Sequence, residues 1–191
     1  MPSSADPLGA AITTAAQRLH AAAEERSRRP LIILIDGRSG AGKSTLASRL
    51  KDLWSPPTTV ACLGLDEVYP GWDGLAAASD ALAGMLREAR FGRPLVWRGW
   101  DWTKGAWGRE RRRGPADVLI VEGAGAVTAD TAGIADLRVW VDAPAAARRE
   151  RALRRDGETF RPHWERWALQ EDRHILTHWP GSLADLTVEL P

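Results

Sequence analysis

Asparagine is absent from this chain of 191 residues. A guanine-reading Asn-Lys-x-Asp motif therefore cannot occur, and a GTPase of that kind is excluded. Cysteine is nearly absent: Cys62 stands alone, cannot form an internal disulfide, and demands no oxidising compartment. No apolar run approaches the roughly 20 residues needed to span a bilayer. The alanine-rich start lacks the basic residues and apolar block of a secretory signal, so a cytoplasmic location is expected. Net charge is only +1, which argues against broad nucleic-acid binding. Basic residues do cluster at 109–113 and 148–155, leaving room for a local anion site. Lysine is scarce as well: only Lys43, Lys51 and Lys104 occur beside many arginines.

The size and the 44% hydrophobic content fit one α/β domain with a real core, and no repeat or low-complexity segment interrupts it. Asp6-Pro7 suits a helix cap and first turn, and Leu8, Ile12, Ala15, Leu19 and Ala22 recur at helical spacing, predicting an amphipathic N-terminal helix within residues 1–28. Short apolar runs at 31–35, 58–65, 117–123, 137–144 and 183–190 read as strands, most of them buried on both faces. Helical patterns lie between them at about 43–53, 74–90, 145–155 and 164–178. Alternation of this kind predicts a five-stranded parallel sheet covered by helices on both faces.

The segment "IDGRSGAGKST" (35–45) carries the most specific chemistry. Gly37-x-x-x-x-Gly42-Lys43-Ser44 satisfies the Walker A pattern of a P-loop NTPase, between a buried strand and a helix. Glycines let backbone N–H groups turn inward around phosphate oxygens, and the helix N-terminus adds its positive dipole. Gly37, Ser39, Gly40, Ala41, Gly42, Lys43, Ser44 and Thr45 thus form the expected cradle for ATP, with Lys43 on the β- and γ-phosphates and Ser44 on Mg²⁺.

Phosphoryl transfer also needs a carboxylate near the γ-phosphate and cations over the moving group. Asp66 follows the second strand at the sheet edge where ligands bind, and Glu122 ends another strand on that edge, placed to hold Mg²⁺ or its waters. Arg148, Arg151 and Arg155 share a helix face through i, i+3 and i+7 spacing, as a lid over phosphates would require. The lid region is expected at 148–165, and the stretch 94–114 as a hairpin and loop on the acceptor side. Trp72, Trp97, Trp100, Trp102 and Trp107 crowd that side.

In order, "DGRSGAGKST", "LDEVYPGWD" (65–73), "PLVWRGWDW" (94–102) and "VDAPAAARRERALRRD" (141–156) resemble the uridine kinase branch of the P-loop kinases, which also includes phosphoribulokinase-like enzymes; the resemblance spans roughly residues 30–190. It implies Asp66 as the general base and Ser44, Asp66 and Glu122 around Mg²⁺. It further implies Asp73 and Arg148 on sugar hydroxyls, Arg151 and Arg155 over the phosphates, and Tyr69, Trp100 and Asp101 lining the acceptor pocket. Trp100 stands where the family usually carries tyrosine. The expected partners are a nucleotide and a nucleoside-like hydroxyl acceptor, with no membrane and with nucleic acid disfavoured, although the basic run Arg109–Arg113 keeps a nucleic-acid 5′-kinase as a weaker third reading; a homodimer stays open. A sugar, pantothenate or an antibiotic is the alternative acceptor, and an ATP-binding regulator or ATPase that phosphorylates nothing is the rival of another class.

Overall fold

In the computed structural model, which describes residues 6–191, five parallel strands form one sheet in the order β2-β5-β1-β6-β7. They are β1 (Leu31–Asp36), β2 (Val60–Gly64), β5 (Val118–Glu122), β6 (Leu137–Asp142) and β7 (Leu186–Glu189). Every residue of the central strand β1 is buried, as its unbroken apolar run requires when helices cover both faces.

Alternation along the strands divides two cores. Ile33 and Ile35 face the helices α1 (Pro7–Glu24) and α2 (Lys43–Lys51), together with Ile12, Leu19, Leu46 and Leu50. Ile32 and Leu34 face the opposite side, with Leu82 and Leu86 of α3 (Leu75–Arg90) and with Trp167 of α6 (Trp164–His178). Helix α1 begins as its sequence predicts: the Asp6 carboxylate accepts a hydrogen bond from the Gly9 N–H at 2.9 Å, with Pro7 in the first turn. The first five residues of the expected N-terminal segment lie outside the described residues.

The remaining strands, β3 (Leu95–Asp101) and β4 (Ala106–Arg113), pair with each other as an antiparallel hairpin separate from the main sheet. Its inner face docks on the segment after β2. Arg111 and Arg113 both reach Glu67, and the Trp97 indole donates to the Glu67 carbonyl at 3.0 Å.

A short helix, α4 (Ala129–Ala132), precedes β6, and α5 (Ala145–Phe160) follows it. Helix α5 extends past the residues its charge pattern suggests, but Gly157 interrupts it with φ 56° and ψ −136°. After a 3₁₀ turn at Arg161–His163, α6 spans the predicted 164–178, and a single turn, α7 (Pro180–Leu183), leads into β7. No helix among the described residues is long and apolar enough to cross a membrane.

Candidate active site

The middle of the sheet's C-terminal edge belongs to β1, flanked by β5 and β6. The glycine loop leaves β1 there and turns directly into α2. Gly37 and Gly40 have φ of 147° and 76°, and added Cβ atoms would fall 2.1 Å from the Val141 carbonyl oxygen and 2.0 Å from that of Arg148. Only glycine permits both the turn and so close an approach by the neighbouring elements. Lys43, the first residue of α2, is almost fully buried and donates to the Arg38 carbonyl at 3.0 Å, so its ammonium lies across the loop.

Two cavities meet at this edge. The smaller, about 230 Å³, lies on the loop and is lined by Lys43, Ser44, Thr45, Asp66, Glu122, Arg151 and Arg155 among others. The larger, about 560 Å³, is walled by Trp72, Trp102, Phe160 and Trp167, with Thr159 and Asp156 beside them. Ser39, Ser44, Asp66, Tyr69, Arg155 and Trp167 line both, which makes them one cleft with a polar and an aromatic end.

Asp66 sits at the junction, in the 3₁₀ turn Leu65–Glu67 that follows β2. Glu122 ends β5 beside it, and the Ser44 hydroxyl donates to Glu122 Oε1 at 2.9 Å. Burial pushes the Glu122 carboxyl above the ordinary carboxylate range, opposed chiefly by the Lys43 ammonium and the Ser44 hydrogen bond. Burial also holds the Tyr69 phenol well above its usual value, and its hydroxyl donates to the Ala124 carbonyl at 2.7 Å. Tyr69 therefore stays neutral and fixes the cleft floor.

A hydroxyl and two carboxylates are the hard oxygen donors that Mg²⁺ takes. Mg²⁺ commonly binds through one or two carboxylates plus substrate phosphates and water. Ser44, Glu122 and Asp66 fit Mg²⁺ on that basis.

The arginines of α5 brace the loop from above. Arg148 donates to the carbonyls of Ala143 and Ser39, at 3.1 and 3.4 Å. Arg151 donates to the Gly40 carbonyl at 2.8 Å and to the Pro191 oxygen at 2.7 Å, while its buried Nη2 has no partner. Arg151 lines the polar cavity, which puts a guanidinium beside the space on the glycine loop. Arg155 also lines that cavity, with its guanidinium paired to Asp156 at 2.7 and 2.8 Å.

Four expected acceptor contacts lie elsewhere, and each has a physical reason. The Asp73 carboxylate is exposed and taken up by a bidentate pair with Arg166. Asp101 accepts from the turn N–H groups of Thr103 and Lys104, both at 3.1 Å, so it holds the hairpin tip. Trp100 packs on Gly71 and edge-on against Trp107. Arg148 turns two of its three guanidinium nitrogens to backbone carbonyls and lines neither cavity. The expected convergence of Asp66, Asp73 and Asp101 on one cavity is thus not what the fold builds. Of the crowded tryptophans, Trp72 and Trp102 reach the cleft, Trp97 is core, and Trp107 is half exposed.

The sequence reading missed a support network carried by α6. Asp36, at the end of β1, is buried, and its carboxylate accepts from the N–H groups of Gly37, Gly125 and Val127 at 2.6, 3.0 and 2.8 Å. His174 Nε2 completes the set at 3.0 Å. One turn earlier, the buried Glu171 accepts from the Ser39 N–H at 2.7 Å and from the Trp167 indole at 3.1 Å. One carboxylate thereby joins the glycine loop to the aromatic wall. The available signal was weak: a Glu and a His three apart on an otherwise ordinary amphipathic helix.

No protein-family model and no curated protein matches this chain. Solved structures do. A possible uridine kinase from Bacillus stearothermophilus superposes with a TM-score of 0.67 at 20% identity, covering 94% of this chain and 98% of that one. A candidate fructose transport system kinase from Silicibacter sp. TM1040 gives 0.60 at 16% identity, covering 92% and 98%. The YGR205w protein gives 0.54 at 14% identity, covering 97% and 94%. With its central glycine loop, parallel sheet and arginine-bearing α5, this chain has the fold of a uridine kinase-like P-loop kinase.

Proposed function

We propose that this chain is an ATP- and Mg²⁺-dependent kinase that transfers a phosphoryl group to a hydroxyl of a small, nucleoside-like acceptor. The observation that carries the reading is the continuity of the cleft: a carboxylate, Asp66, stands where the cavity on the glycine loop opens into a second, aromatic cavity. An enzyme that only hydrolysed ATP would have no use for that second chamber.

Asp66 accepts the proton from the acceptor hydroxyl as its oxygen attacks the γ-phosphorus, whose bond to the β–γ bridging oxygen breaks to release ADP. Lys43 and Arg151 hold phosphate oxygens in place, and Arg155 does the same through the Nη1 that its pairing with Asp156 leaves over. Ser44 and Glu122, with Asp66 nearby, hold Mg²⁺, which when bound neutralises phosphate charge. The aromatic end seats the acceptor and excludes water. Arg148 and Glu171 keep the loop in shape and touch neither substrate.

The test is ADP release from Mg·ATP against a panel of nucleosides and other hydroxylated metabolites, with Asp66→Asn in parallel. Stimulation by an acceptor that vanishes in the variant is the expected result. Turnover indifferent to every acceptor, and unchanged in Asp66→Asn, would overturn the proposal in favour of an ATPase.

A further inference from the structure

The larger cavity has an unusual inventory of side chains. Its volume of about 560 Å³ lies within the roughly 300–1,000 Å³ typical of small-molecule sites. Its walls are mostly aromatic carbon from Trp72, Trp102, Phe160 and Trp167. Trp72 is the hub: it stacks on His163 at a centroid distance of 4.3 Å and on Phe160 with an interplanar angle of 10°, and meets Trp102 edge-on at 4.8 Å, so the ring left for a ligand is that of Trp102. Trp102 is 40% exposed at the hairpin tip, which leaves ring surface open beside the hub.

The polar groups of this wall are largely committed to the protein. The Tyr69 hydroxyl is bonded to Ala124, the Trp167 indole to Glu171, and the Arg155 guanidinium to Asp156. Amide side chains pair bidentately with base edges, yet none is free here. The chain has no asparagine, and Gln170 is engaged by the Trp72 carbonyl and the Leu75 N–H at 2.6 and 3.3 Å. The Thr159 hydroxyl can rotate to give or accept, so it distinguishes neither. The Trp72 and Trp102 indoles only donate, and every base offers some acceptor.

From this we infer that the acceptor is a hydroxyl compound carrying a flat ring, recognised by stacking and not by the hydrogen-bonding pattern of the ring's edge. Purine and pyrimidine nucleosides are accepted alike, and sugars without a ring base are refused. The inference rests on the proposed phosphotransfer and narrows its substrate class. The physical ground is that every base has a π-face, so stacking is tolerant of base identity.

The experiment compares uridine, cytidine, adenosine, guanosine and ribose by kcat/KM in the ADP-release assay and by calorimetric binding. Trp102→Ala and Trp102→Phe are measured beside the unaltered chain. The four nucleosides are expected to agree within about ten-fold, with ribose poorer by about a hundred-fold, as loss of base stacking implies. Trp102→Ala should weaken all four nucleosides by a common factor of about ten through KM, and Trp102→Phe should restore most of it. A preference above about a hundred-fold for one base, or ribose as good as the nucleosides, would overturn the inference. Nucleosides that bind tightly and unselectively without ADP release would uphold recognition by stacking and overturn the proposed phosphotransfer. Absence of nucleoside binding by calorimetry would overturn the inference itself.

Discussion

At the glycine-loop end the cleft has one continuous stretch for its base, Ser39 to Thr45, with side chains such as Asp66, Glu122, Arg151 and Arg155 closing round it. At its acceptor end the surface is side chains: Trp72 from the turn before α3, Trp102 from the hairpin tip, Phe160 from the end of α5 and Trp167 from α6. The first kind of site is specified by local spacing, because each glycine answers a local need of φ and approach. The second exists only after four distant segments have packed. Asp66 belongs to both, and Glu171 ties one to the other through Ser39 and Trp167.

The largest expected effect lies at the junction. Asp66→Asn keeps the shape of the turn but removes a base, and kcat should fall by about 10²- to 10⁴-fold. Mg·ATP affinity, which also rests on the glycine loop, Ser44 and Glu122, should fall far less than kcat. Equal losses in kcat and in ATP binding would mean that Asp66 serves the loop alone, and the division between the two ends would break.

Next comes the link between the ends. Glu171→Ala strands the Ser39 N–H and the Trp167 indole in a buried setting, an expected cost of about 1–3 kcal/mol in urea-monitored stability. If Glu171 joins the ends, KM should rise for both substrates, and Glu171→Gln, which still accepts hydrogen bonds, should recover most of both. A rise confined to ATP would show the aromatic wall to be independent of the loop.

The sequence made the phosphate end legible for the same reason that it hid the acceptor end. The sheet, its buried central strand and helix α6 follow from apolar periodicity, which burial on one or both faces enforces. Asp73 and Asp101 have partners that their positions did not announce, because spacing along the chain does not say which group a carboxylate will meet. Arg166 lies far from Asp73 in sequence, and the hairpin turn supplied two N–H groups for Asp101. Asp36 escaped notice at the edge of the most recognisable motif in the chain, since a carboxylate saturated by backbone N–H groups and a distant histidine leaves no local pattern.

A smaller effect concerns pH at the polar end. Burial raises the Glu122 carboxyl above its ordinary value, so folding favours the protonated form. Its contribution to stability is full below the unfolded-state value and is lost as pH rises through the raised one. Mg²⁺ needs the ionised form, so the metal concentration for half-maximal activity should climb as pH is lowered from neutrality toward that raised value. Titrating Mg²⁺ at several pH values checks this, and Glu122→Gln should flatten the dependence while weakening Mg²⁺ throughout.

The smallest effect serves as a control on the hairpin. The Arg112–Glu110 pair on β4, 3.8 Å apart, is mostly exposed. Arg112→Ala should leave stability within about 0.5 kcal/mol and turnover unchanged. A large loss would make the outer face of the hairpin part of the working surface, in addition to its tip.

The central claim is that the cleft hands a phosphoryl group from one end to the other. Its most direct test follows γ-labelled ATP, with the nucleosides as acceptors, and identifies the labelled product. Label in a phosphomonoester of the acceptor, absent with Asp66→Asn, is the expected outcome. Label appearing only in inorganic phosphate, with or without acceptor, would contradict it.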